Sequence, residues 1–323
     1  MRKNSKLISV IIPCYNEALN IDGFFIKLNN VLSEMNIPYE ILYVNDGSLD
    51  NSLEHLKNLA KKHKFIKVIN LSRNFGKEIA ATAGVHYAKG DALIMIDGDG
   101  QHPPELIPQF IQKWQDGARI VVGLRSDNQK EGAVKKIGSK LFYKTFNKFT
   151  GAHLIPGSTD FRLIDRGVQE EFLKLTERNR ITRGLIDWLG FDREYVTFSA
   201  NPRMGGEAGY SVSKLFKLAL DSFVSLSLAP LYFALYIGLI ILPLSFLLGC
   251  FSVIEMLIGD PLNLHIKGTA YLVILTLFLM GIVLVSQGII AIYLSHIHTE
   301  TQNRPLFIVD SNKSHGIEVQ SAD

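Results

Sequence analysis

Two long stretches without a single charge, Leu231 to Ile254 and Ala270 to Leu294, constrain the folding of this 323-residue chain more than any other feature. Each reaches the ~20 residues that carry a helix across ~30 Å of hydrocarbon. A helix in water needs a polar face, so stretches that are apolar all round are expected to be two membrane spans. The connector Gly259–Thr269 carries one lysine, whereas Lys214 and Lys217 precede the first span and Arg304 follows the second. That bias predicts cytoplasmic termini and a two-span, multi-pass membrane protein. Just ahead of the first span, Tyr210–Ser227 alternates Leu215, Phe216, Leu218, Ala219 and Phe223 with Lys214, Lys217 and Asp221, the pattern of an amphipathic helix lying on the bilayer surface.

The N-terminal apolar run, Leu7 to Ile12, is too short for a signal peptide, so the first two hundred residues are expected to stay on the side of synthesis. Only two cysteines occur, Cys14 and Cys250, far apart, which argues against a disulfide framework and suits a reducing compartment. A net charge of +3 gives no reason to expect nucleic acid as a partner.

Short apolar runs alternate with helical patterns through the first half, which predicts βαβ units and a mostly parallel sheet. Strands are expected at Leu7–Ile12, Glu40–Val44, Ile66–Leu71, Ala92–Ile96 and Ile120–Val122, with a further strand-like run at Phe161–Ile164. Helices are expected at Ile21–Met35, Leu53–His63, Lys77–Ala88, Glu105–Asp116, Val134–Phe149, Val168–Leu175 and Thr182–Trp188. The organisation is then a catalytic domain over 1–209, an interfacial helix over 210–227, a membrane domain over 228–296 and a tail over 297–323, disordered from Ser311 onward.

In such a sheet ligands bind beyond the carboxyl ends of the strands. The fourth strand ends in Asp97-Gly98-Asp99-Gly100-Gln101, and two carboxylates at that spacing suit a hard cation, Mg²⁺ or Mn²⁺, holding a diphosphate. The first strand ends in Pro13-Cys14-Tyr15-Asn16-Glu17 and the second in Asn45-Asp46-Gly47-Ser48. A carboxylate accepts the imide N–H of a uracil and a tyrosine stacks on a base, although both segments also have the composition of ordinary turns.

These segments, with Leu71-Ser72-Arg73-Asn74-Phe75-Gly76-Lys77, Asp160-Phe161-Arg162-Leu163 and Arg203-Met204-Gly205-Gly206-Glu207, resemble the family-two, GT-A-type glycosyltransferases. The branch in question acts on polyprenyl phosphates and includes bactoprenol glucosyltransferase and dolichyl-phosphate mannose synthase. The resemblance implies a Rossmann-like GT-A domain followed by the interfacial helix and two spans. It also implies an inverting, metal-dependent transfer of a hexose from a nucleotide-sugar, UDP-glucose first, to a polyprenyl phosphate at the bilayer. Pro13, Tyr15, Glu17, Asp46, Asp97, Gly98 and Lys77 would bind the nucleotide-sugar, with Asp46 reading the base. Asp97, Asp99 and Gln101 would hold the metal. Asp160, Asp99 and Arg125 would be catalytic, Asp160 standing where this fold commonly puts a base, and Arg203, Arg162 and Lys136 would meet the acceptor phosphate. Two departures stand out: Asn45-Asp46 replaces the usual Asp-Asp, and Ala208-Gly209-Tyr210 follows Glu207 where the family tends to have Ser-Lys-Tyr.

A NAD-dependent oxidoreductase is disfavoured because no glycine-rich loop follows the first strand. A processive polysaccharide synthase and a non-catalytic nucleotide-sugar-binding protein stand as alternatives, the first disfavoured by the lack of a Gln-x-x-Arg-Trp motif. Gly281 and Gly288 would allow close helix packing in a homo-oligomer.

Overall fold

The computed structural model describes residues 6–126, 155, 157–178, 180–199 and 268–317, together with positions 240, 247, 254 and 258. The β-branched runs form a seven-stranded sheet of β1 (Ile8–Cys14), β2 (Tyr39–Asn45), β3 (Ile66–Asn70), β4 (Ala92–Met95), β5 (Ile120–Arg125), β6 (Ser158–Asp165) and β7 (Arg193–Phe198). The strand order is β3-β2-β1-β4-β6-β5-β7. Every strand runs the same way except β6, which is antiparallel to both β4 and β5. The carboxyl tips of β1 to β5 and the start of β6 therefore share one edge.

Helices α1 (Ala18–Glu34), α2 (Ser52–Lys62) and α4 (Ile107–Gln115) cover one face, and α3 (Lys77–Tyr87), α5 (Arg166–Lys174) and α6 (Thr182–Trp188) the other. Alternation along each strand decides which side chain goes where. Val10 and Ile12 pack with Phe24, Leu28 and Phe110, while the intervening Ile11 packs with Ala80, Ala83 and Ile186. Gly84 allows α3 to lie this close, since a Cβ there would stand 2.2 Å from the Ile11 side chain.

β7 is absent from the expectations above. Its signal is brief: only Val196 and Phe198 turn inward, and the rest of Arg193–Phe198 is partly or fully exposed. A larger departure concerns the tail. Expected to be disordered from Ser311, it is ordered through Ile317 and lies along β3. Val68 and His315 exchange backbone hydrogen bonds, Asp310 N–H donates to Asn70 O at 2.8 Å, and Ser72 N–H donates to Ile308 O at 2.9 Å. Phe307, Val309 and Ile317 pack against the α3 face of the core. An edge strand presents unpaired N–H and C=O groups, and three apolar residues provide the burial that holds this segment on them.

The chain divides into two units, one of Met1–Asn147, Gly151–Gly209 and Arg304–Asp323, the other of Lys148–Thr150 and Tyr210–Asn303. In the second, α7 runs unbroken over Gly268–Thr301 and includes the stretch expected as the second span. Counted over the described residues, no helix is long and apolar enough to cross a membrane. The first expected span, apart from positions 240, 247 and 254, the interfacial helix over 210–227 and the basic helix over 134–149 lie outside the described residues.

Candidate active site

Strand geometry brings the separated motifs together. β4 and β6 pair with Met95 opposite Arg162, so two residues farther out Asp97 and Asp160 stand at the same level. Lys77, the first residue of α3, reaches both: its Nζ lies 2.6 Å from Asp97 Oδ1 and 3.0 Å from Asp160 Oδ2. Burial works against a charged ammonium, yet the two carboxylates more than compensate and raise the Lys77 pKa. Burial likewise pushes Asp160 up, but Lys77, Arg183 and Arg162 outweigh it and hold the carboxyl at about 2. The cluster sets the Lys77 ammonium between the carboxyl groups of Asp97 and Asp160.

Beside it, the loop after β4 is shaped from within. Gly100 adopts φ 78°, and Asp99 Oδ1 accepts the Gln101 N–H at 3.0 Å. His102 is buried; its Nδ1 accepts the Asp97 N–H at 3.3 Å, which places the proton of the neutral ring on Nε2. Its ring stacks on Phe161 at 5.3 Å, and burial lowers its pKa, keeping it neutral. Gly98 sits where a Cβ would come 2.9 Å from Glu17 Oε2, bringing the end of the β1 motif to the acidic loop.

The β1 and β2 motifs interlock. Asn16, at φ 53°, accepts the Leu49 N–H through Oδ1 at 2.8 Å and donates its own N–H to Ser48 Oγ at 3.0 Å. Asp50 and Ser52 accept the Ala18 and Glu17 N–H groups that begin α1. Pro13 is half-buried within β1, Cys14 after it is buried, and Tyr15 is left exposed at the rim.

Asp46 differs from the expectation of a base-reading carboxylate. It is 2% exposed, and its Oδ1 and Oδ2 accept the N–H groups of Phe75 at 2.7 Å and Gly76 at 2.9 Å. Gly47, at φ 64°, lets the two loops touch, since a Cβ there would be 2.4 Å from the Arg73 carbonyl carbon. Asp46 anchors the loop that leads into Lys77.

Arg162 is also corrected. Expected to meet the acceptor phosphate, it is 1% exposed and points into the α3 face. Its guanidinium lies 3.5 Å from Asp187 Oδ1, which Arg193 approaches at 3.1 Å, and it donates to Thr159 O at 3.1 Å. Removing one partner of a buried pair typically costs ~3–5 kcal/mol, and because Arg193 remains beside Asp187 the lower end, about 3 kcal/mol, is expected for Arg162→Met. Denaturant unfolding reads this, and a loss under ~1 kcal/mol would contradict the structural role.

Arg125 ends β5, exposed at the same sheet edge. Arg203 and Lys136 lie outside the described residues. Among the described residues no group of three or more His, Cys, Asp and Glu side chains converges on one point. Asp97 nonetheless already holds a cation in the form of the Lys77 ammonium, and two oxygen donors plus a substrate diphosphate is the set that Mg²⁺ uses. Asp97 and Asp99 fit that demand, with Gln101 next to them.

Residues 9–173 match the model of glycosyl transferase family 2. An uncharacterised glycosyltransferase from Synechocystis is 41% identical over 302 residues, 94% of each chain. The bactoprenol glucosyl transferase of Shigella phage SfII is 36% identical over 309 residues, 95% of this chain and 98% of the relative. Among solved structures, glucosyl-3-phosphoglycerate synthase from Mycobacterium tuberculosis, in complex with Mn²⁺, UDP and phosphoglyceric acid, covers 68% of this chain and 77% of its own at 18% identity and a TM-score of 0.49.

Proposed function

The chain belongs to glycosyl transferase family 2, and from that premise we propose that it moves a hexose, glucose from UDP-glucose first, onto a polyprenyl phosphate at a membrane, inverting the anomeric carbon. The observation that carries this reading is the Lys77 bridge between Asp97 and Asp160, which gathers charges of both signs at the strand edge where a diphosphate must be held and released. The acceptor class is supported by relatives named bactoprenol glucosyl transferase that match nearly the whole chain. The uncharged stretches 231–254 and 270–294 would anchor the enzyme where such a lipid lies.

Asp97, Asp99 and Gln101 would hold a divalent cation, which when bound neutralises the departing diphosphate. Tyr15 offers its ring to the base, with Pro13 and Glu17 beside it and Asp46 securing the Ser72–Gly76 loop. Lys77 and Arg125 stabilise charge that develops on the leaving group. Asp160, held as an anion at about 2, orients Lys77 rather than removing a proton, and none needs removing: a phosphate monoester has its second pKa near ~6 and is mostly dianionic at neutral pH. The acceptor oxygen attacks C1 as the C1–O bond to the diphosphate breaks, in one displacement. Arg203 and Lys136 are assigned to the acceptor phosphate by their family resemblance.

Transfer rates measured against pH test this division of roles. The acid limb of kcat/KM is expected near ~6, set by the acceptor, and to stay there in Asp160→Asn even though the rate falls. Disappearance of that limb in the variant would make Asp160 the base and overturn the assignment.

A further inference from the structure

The segment that covers β3 also reaches the loop that delivers Lys77. Its contacts continue past the end of the strand: Leu71 bridges Val309, and the Ser72 N–H donates to Ile308 O. The far end of the same loop is fixed by Asp46, which takes the Phe75 and Gly76 N–H groups. A second connection runs through side chains. Ser314 Oγ accepts the Asn70 N–H at 3.0 Å across 244 residues of sequence. Asn70 Oδ1 in turn accepts from Asn45 Nδ2 at 2.6 Å, beside Asp46. Phe307, packed edge-on to His86 at 6.0 Å, fixes the start of the segment against α3, the helix that Lys77 begins.

We propose that Phe307–Ile317 is a strap that positions the Ser72–Gly76 loop and, through it, Lys77, so that donor binding depends on the C-terminal segment. This rests on the reading of that loop as part of the donor site. An edge cover alone would affect stability and association; a strap affects the affinity for nucleotide-sugar. Its action is β-augmentation within one chain, and a mode of binding that relies on main-chain pairing can be supplied in trans.

The test compares the full chain with one shortened after Asn303, both in bilayer nanodiscs, by hydrogen exchange and by steady-state transfer from UDP-glucose. In the shortened chain the Phe75 and Gly76 amides are expected to lose at least ~tenfold protection while amides inside β1 keep theirs. The KM for UDP-glucose is expected to rise about tenfold, with a fall in kcat beside it because Lys77 follows the same loop, and a peptide of residues 304–323 to restore both where a scrambled peptide does not. Should the shortened chain fail to fold, Asp310→Pro and Ser314→Ala in the full chain each remove one hydrogen bond between the strap and β3 and are expected to raise KM about fivefold. Loop protection and KM within about twofold of the parent in the folded variants would overturn the strap, as would equal restoration by both peptides. Lost protection with unchanged KM would overturn the donor role of the loop instead.

Discussion

Asp99→Asn is expected to abolish transfer in practice, lowering kcat/KM by ~10³-fold or more, while the protein stays folded. The substitution separates the two things Asp99 does. Its Oδ1 accepts the Gln101 N–H and shapes the loop, and an asparagine carbonyl oxygen continues to do so. The charge is lost, and with it one of two carboxylates proposed to hold the divalent cation against the diphosphate. Neutralising a departing diphosphate is worth several kcal/mol, and ~4 kcal/mol corresponds to ~10³ in rate. A thermal midpoint within ~2 °C of the parent is expected, since replacements that leave hydrogen bonds in place cost little. Activity within tenfold of the parent would remove Asp99 from the metal site.

Lys77→Met is expected to lower kcat by ~10²–10³-fold, the range found when one preorganised charge stabiliser is deleted. The Lys77 ammonium lies 2.6 Å from Asp97 and 3.0 Å from Asp160, so its loss leaves two anions facing each other across a narrow gap. Removing that cation also makes room for a divalent one: the affinity for Mn²⁺ in the absence of nucleotide is expected to rise as turnover falls, a split visible by titration with electron paramagnetic resonance. Lys77→Arg restores the charge with a planar, longer group and should recover only part of the rate. A methionine variant that turns over within threefold of the parent would leave the bridge without a catalytic role.

Much of this arrangement is legible in the sequence because the chemistry-bearing segments begin where buried strands stop. Pro13–Glu17 and Asn45–Asp50 begin in the last residues of β1 and β2, Asp97–Gln101 begins just after Ile96, the residue that follows β4, and parallel strands bring such tips to one edge. Which side chains turn outward there is a different matter. Arg162 is expected at the acceptor phosphate only through the family resemblance, but its partner Asp187 lies on a helix 25 positions later, visible only once α6 packs on the sheet. Asp46 carries the chemistry to read a base, yet its oxygens are taken by N–H groups of a loop that the sequence offers no means of pairing with it. Lys77 and Asp160 are 83 residues apart, and their meeting depends on β6 running against its neighbours. The tail's apolar signal, Leu306–Val309 with Ile317 eight residues on, is too short to stand out, and an edge strand decides its fate.

Purified full-length protein in undecaprenyl-phosphate vesicles with Mg²⁺ and UDP-glucose radiolabelled in the sugar tests the central claim most directly. One label per UDP released is expected in the organic phase as a single acid-labile lipid, disappearing in Asp99→Asn. Label appearing as free glucose or as a ladder of polymers, or absent from the lipid with every nucleotide-sugar tried, would contradict a family 2 enzyme that glycosylates a polyprenyl phosphate.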